Sequence, residues 1–136
     1  VVIIGGGSEG CETAVWLARQ GKCVTVVEML PEVATDLWES NHMMLLEMLE
    51  ENSVEILTDT TVQEITKIGV VTVNRNSEKR IVECDTVALA TGLQPRRDLY
   101  NVLSNDVAEI HIIGDCKEPH KIHHAIWDGF SIGLFM

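Results

Sequence analysis

Three glycines spaced Gly5-x-Gly7-x-x-Gly10 sit directly between the apolar run Val1-Val2-Ile3-Ile4 and a helical pattern. So apolar a run reads as a strand buried on both faces. Over residues 8–20, Cys11, Ala14, Val15 and Ala18 recur at i, i+3, i+4 and i+7, which makes one apolar stripe on a helix that Gly21 stops. A strand, a glycine turn and a helix in that order constrain the fold far more than the glycine pattern alone. Each glycine answers a separate demand. Gly5 allows the tight turn, Gly7 lets the backbone approach a pyrophosphate, and Gly10 permits close packing of helix on strand. Gly6 completes the loop, and the N–H groups of Ser8, Glu9 and Gly10 open the helix with the positive end of its dipole behind them.

The βα alternation continues. Residues 23–28 form a Val-rich strand, and after Pro31 a second helix is expected over residues 36–51. Its inner stripe reads His42, Leu45, Leu46 and Leu49, widened into the core by Met43, Met44 and Met48. A third strand covers residues 54–57. From Thr60 the pattern changes to short strands at residues 62–68, 70–74 and 80–84, a meander whose polar turn is Asn74-Arg75-Asn76-Ser77. Residues 86–90 form another strand running into Thr91-Gly92. Residues 93–107 read as irregular, residues 109–113 as a strand, and a last helix begins near Lys121. The expected fold is α/β, a Rossmann-like doubly wound parallel sheet with helices on both faces, the meander standing in for a later helix. Trp16 lies off the first helix's stripe and is free to face another domain.

Glu28 ends the second strand, 23 positions after Gly5. A carboxylate there accepts hydrogen bonds from both hydroxyls of an adenosine ribose and repels a 2′-phosphate. Met29, Leu30 and Pro31 follow it with no Arg or Lys to neutralise such a phosphate, so NAD(H) is expected over NADP(H). Loop and acid together do not separate NAD from FAD, which carry the same adenosine diphosphate half. A methyltransferase using S-adenosylmethionine, or a non-catalytic nucleotide-sensing module, also stays open at this point.

Composition excludes other classes. A formal net charge of −11 repels phosphate backbones and anionic lipid, so neither nucleic acid nor a membrane is an expected partner. No apolar run reaches the ~18 residues of a membrane span. Cys11, Cys23, Cys84 and Cys116 form no Cys-x-x-Cys pair, and reduced, mostly buried thiols in a cytoplasm are the expected state. The His120, His123 and His124 group near Asp115 and Cys116 reads as helix surface rather than a metal site. The chain begins and ends inside apolar runs, so a piece of a longer protein is expected.

The string Val1-Val2-Ile3-Ile4-Gly5-Gly6-Gly7-Ser8-Glu9-Gly10-Cys11-Glu12-Thr13-Ala14 resembles the NAD-binding domain of flavin-dependent pyridine nucleotide oxidoreductases. Val87-Ala88-Leu89-Ala90-Thr91-Gly92 is similar to the Ala-Thr-Gly segment that closes that domain, and Ile112-Ile113-Gly114-Asp115 to the Gly-Asp motif of the FAD domain. Val24-Thr25-Val26-Val27-Glu28-Met29-Leu30-Pro31-Glu32, with Ala125-Ile126-x-Asp128-Gly129, further resembles the C-terminal region of NADH:flavin oxidoreductases, the group of 2-enoate reductases, 2,4-dienoyl-CoA reductases and trimethylamine dehydrogenase relatives. The resemblance implies an NAD(H)-binding domain over residues 1–92 and a segment, 93–136, returning to an incomplete FAD-binding domain. It also implies a parent enzyme in which a barrel carries FMN, an iron–sulfur cluster follows, and NADH reduces FAD. The piece itself would then be inactive alone. Glu12, Thr91 and Gly92 would lie near the nicotinamide, and Gly114 and Asp115 near the flavin. The strand at 109–113 would lack its native sheet and is expected to drive self-association, because an unpaired apolar edge recruits a partner.

Overall fold

The computed structural model describes residues 1–135, which divide into two compact units, Val1–Gly92 and the segment from Leu93 onward. In the first unit β1 (Val2–Ile4) leads through α1 (Ser8–Ala18) to β2 (Thr25–Val27), and through α2 (Glu39–Glu51) to β3 (Glu55–Leu57). β4 (Thr60–Ile65), β5 (Gly69–Asn74) and β6 (Lys79–Glu83) form an antiparallel meander, after which β7 (Val87–Leu89) returns to the first sheet. That sheet runs β3-β2-β1-β7 and is parallel throughout, with Val2 in register with both Thr25 and Val87.

Side chains alternate across a strand, so each strand of a covered sheet must feed two cores. Ile3 and Val26 point to one face, where Cys11, Ala14 and Val15 of α1 and Leu45 and Leu49 of α2 bury them. Val2 and Val27 point to the other, onto Val70 of β5 and Val82 of β6. Helices therefore cover one face only; the meander seals the second, where the sequence reading also placed helices. A parallel strand exposed on one face would leave Val2 and Val27 in water, a loss of about 1.5–3 kcal/mol each.

Several boundaries differ from expectation. α2 starts at Glu39 rather than at 36, because Asp36 is engaged elsewhere. Its buried stripe is narrow: Leu45 and Leu49 are buried, whereas Leu46, Met43 and Met44 are exposed and only Met48 packs against the core. His42 is half-buried, its Nε2 lying 2.9 Å from the Val33 carbonyl oxygen. Of the cysteines only Cys11 is buried; Cys23 and Cys116 are exposed, since they fall in connecting segments. Trp16 is exposed, as its place off the stripe requires.

In the second unit residues 93–107 contain a helix, α3 (Asp98–Leu103), and residues 109–113 form no strand among the described residues. Ile113 has the extended backbone of a strand, but a strand exists only through a ladder partner, and no neighbouring segment supplies one. A short 3₁₀ turn at Gly114–Cys116 leads to α4 (Ile122–Phe135). α4 has no buried residue among those described, and Ile126, Trp127, Phe130 and Leu134 are all exposed. No described helix is long and apolar enough to cross a membrane.

Candidate functional site

Of the four glycines in the loop, Gly5, Gly6 and Gly10 are closed by neighbouring atoms and Gly7 is open. Gly5 has φ +106°, and a Cβ there would collide with the Ala90 carbonyl. A Cβ on Gly10 would collide with the Gly5 carbonyl and meet the Ala90 side chain, so α1 can approach β1 and β7 only with glycine there. Gly6 has Val33 and Glu28 against it. Gly7 differs: its φ of −66° suits any residue, and an added Cβ would meet only the Glu9 carboxylate at 3.6 Å. What Gly7 keeps clear is space outside the protein's own packing, at the head of α1. A helix N-terminus that receives an anion needs such room.

Glu28 is buried at 8% exposure, and both of its carboxylate oxygens are held. The Gly6 N–H donates to Oε2 at 2.6 Å and the Leu30 N–H to Oε1 at 2.8 Å. The acid after β2 is thus a brace between the glycine loop and the chain that follows β2. Each carboxylate oxygen keeps a second lone pair for a hydroxyl donor. Met29 and Leu30, next along the chain, are exposed.

Sequence reasoning missed a second acid. Asp36 accepts the Ser8 N–H at 2.9 Å through Oδ1 and the Ser8 hydroxyl at 2.5 Å through Oδ2. Gly7, at the N-cap of α1, has no side chain to satisfy a first-turn donor, and Asp36 takes one of them, the Ser8 N–H, from 28 positions beyond Ser8. It is brought there by residues 33–37, which strap across the glycine loop. Val33 and Ala34 are buried, Ala34 lies at φ +54°, and its N–H donates to the Gly6 carbonyl at 2.6 Å. The only signal in the sequence was an acid eight residues beyond Glu28, indistinguishable there from the start of the next helix.

A cleft of about 400 Å³ opens where β1, β2 and β7 end, lined among others by Gly5, Glu28, Met29, Thr60 and Thr91. Open parallel sheets take ligands at this end. Gly92, exposed at φ +85°, turns the chain away after Thr91. Glu12 is exposed on α1 one turn beyond Ser8. Cys11, under the loop, donates to the Gly6 carbonyl at 3.4 Å. Burial, then the charges of Asp36, Glu28 and Glu12, push its thiol up to about 11, so it is no nucleophile.

In the second unit Gly114, at φ +62°, donates its N–H to Asp128 of α4 at 3.1 Å, and Asp128 also pairs with Lys117 at 2.7 Å. The Lys117 hydrogen bond and then the Gly114 N–H hold the Asp128 carboxyl below its usual range. This fixes the turn that presents Asp115. The His124 ring stacks on that of His120, with centroids 4.6 Å apart, and meets that of His123 at a tilt, with centroids 3.9 Å apart.

Comparison with known proteins accords with this geometry. The family described as pyridine nucleotide-disulphide oxidoreductase matches residues 1–129. Cinnamate reductase of Clostridium sporogenes is 36% identical over 97% of this chain and 20% of its own length. Bilirubin reductase of Mediterraneibacter gnavus is 37% identical over 96% of this chain and 20% of its own. A 2-naphthoyl-CoA reductase structure superposes with a TM-score of 0.88 at 29% identity, covering 99% of this chain and 21% of that one. The chain thus spans about a fifth of the length of the proteins it matches. With a strand–glycine turn–helix unit, an acid after β2 and a match over residues 1–129, this chain belongs to the pyridine nucleotide-disulphide oxidoreductase family.

Proposed function

We propose that the unit Val1–Gly92 binds NAD(H) and, within a longer flavin oxidoreductase, presents the nicotinamide to FAD. The observation that carries this reading is the contrast within the glycine loop: Gly5 and Gly10 are closed by packing, whereas Gly7 opens onto the head of α1. In this reading Gly5, Gly6, Gly7, Ser8, Glu9 and Gly10 hold the pyrophosphate through backbone N–H groups. Glu28 takes the adenosine ribose hydroxyls and excludes a 2′-phosphate, with Met29 and Leu30 bordering the adenine. Glu12, Thr91 and Gly92 orient the nicotinamide. When bound, the dinucleotide supplies a hydride from nicotinamide C4 to flavin N5, and the chain's part is to hold the two rings in reach.

The segment from Leu93 is proposed to complete an FAD-binding domain, with Gly114 and Asp115 at the flavin. The parent is proposed to be an NADH-dependent reductase resembling enoate and dienoyl-CoA reductases, with FMN and an iron–sulfur cluster in its other domains. The names of the relatives, reductases of cinnamate and bilirubin, support that class. Membership in an oxidoreductase family takes support from the methyltransferase alternative.

Calorimetric titration with NADH and then NADPH tests the reading. Saturable binding that favours NADH is expected, and Glu28→Ala should weaken it while relaxing the preference. Equal affinity for the two cofactors, or a ratio unchanged by Glu28→Ala, would overturn the role of Glu28. Absence of binding would overturn the site.

A further inference from the structure

We infer that the Asp36 carboxylate is an internal stand-in for the nucleotide's pyrophosphate, holding the first turn of α1 in the free protein and displaced when the nucleotide binds. The inference rests on the dinucleotide reading above. Four observations carry it. The Ser8 N–H is a first-turn donor of a helix preceded by the one open glycine of the loop, and it already has an anionic acceptor in Oδ1 of Asp36 at 2.9 Å. The second carboxylate oxygen takes the Ser8 hydroxyl at 2.5 Å, so the acid meets both donors that residue offers. The acid is delivered by the strap described above, in which Ala34 adopts the left-handed backbone and donates to the Gly6 carbonyl, while His42 meets the Val33 carbonyl at 2.9 Å. That strap sets Asp36 against the loop rather than leaving it to chance. Finally, Gly7 provides no cap of its own, so without Asp36 the Ser8 N–H would be left to solvent or to a ligand.

A phosphate oxygen and a carboxylate oxygen ask for the same donor, and two anions do not share it. The nucleotide therefore competes with Asp36 for the Ser8 N–H, and its apparent affinity is reduced by the fraction of molecules in which the carboxylate holds that donor. The competition is confined to the phosphates. The adenosine end, at Glu28, does not feel it.

Asp36→Asn tests this, because an amide oxygen still accepts the Ser8 N–H and its NH2 can donate to the Ser8 hydroxyl, so the cap is kept and the charge removed. Asp36→Ala frees the donor altogether. Calorimetric titration of the whole chain with NADH, ADP and adenosine is the measurement, with thermal melts of each variant alongside. We expect NADH and ADP to bind several-fold more tightly to Asp36→Asn and about tenfold more tightly to Asp36→Ala, with adenosine unchanged within about twofold. The amide resonance of Ser8 should move on NADH binding in the unsubstituted chain. If that chain binds NADH and neither variant binds more tightly, or if adenosine affinity shifts in parallel, the inference fails while the dinucleotide site stands. If no form binds NADH although the melts show them folded, the site itself was misread and the inference falls with it.

Discussion

At the scale of single residues, the glycine loop separates positions closed by packing from the open one at Gly7. Gly10→Ala should destabilise the chain by about 2 kcal/mol or more, since its methyl would collide with the Gly5 carbonyl, and thermal melting would show it. Gly7→Ala should leave the melting temperature within about 2 °C, because the backbone there is ordinary and the nearest atom is 3.6 Å away. NADH affinity should nevertheless fall about tenfold or more, as the methyl takes the room that the proposed site gives to the phosphates. A stable Gly7→Ala chain with undiminished binding would refute that placement. Cys11 gives a pH signature. Its folded thiol titrates near 11 against an ordinary 9.0, so its stabilising share is complete below pH 9 and disappears as the pH rises towards 11. Denaturant midpoints of the natural chain should fall more steeply over that window than those of Cys11→Ala. Thiol labelling of the native chain should reach Cys23 and Cys116 and spare Cys11.

At the scale of elements, what was legible followed from periodicity, and what was missed followed from partners. α1 carried a clear stripe, and Cys11, Ala14 and Val15 are buried as that stripe requires. α2 carried a broader one than it uses: Leu46, Met43 and Met44 face water because α2 meets the sheet along a single line of Leu45 and Leu49. Residues 109–113 have the composition of a strand and no ladder, because composition cannot supply a neighbour. The β5–β6 hairpin offers a test of local chemistry. Ser77 closes the turn in the left-handed region at φ +63°, with its N–H bonded to the Asn74 carbonyl at 2.9 Å. Ser77→Gly should stabilise the chain by about 0.5–1 kcal/mol, read as a rise in the denaturant midpoint at unchanged slope. A fall would mean that the turn is held by the serine side chain instead.

At the scale of the whole molecule, both buried clusters draw only on Val1–Gly92. A chain ending at Gly92 should therefore fold, bind NADH and sediment as a monomer. The full 136-residue chain should associate as its concentration rises, because α4 exposes Ile126, Trp127, Phe130 and Leu134 together. Analytical ultracentrifugation of the two forms checks this, and a full-length chain that stays monomeric would remove the case for association through that helix. The relatives, about five times longer, are consistent with a parent that covers this face by its own domains.

The amino-acid order by itself determined the βαβ unit, the glycine loop, the acid after β2 and the family, because strand and helix periods and the demands on each glycine act over a few neighbouring residues. Tertiary structure alone decided that the meander seals the second face of the sheet, that Glu28 braces the loop through two backbone donors, and that Asp36 caps α1 rather than opening α2. Apart from the Leu30 N–H, two positions from Glu28, each of these joins residues more than twenty positions apart. Which donor an acid meets depends on how elements pack, and the local pattern around the acid does not record it.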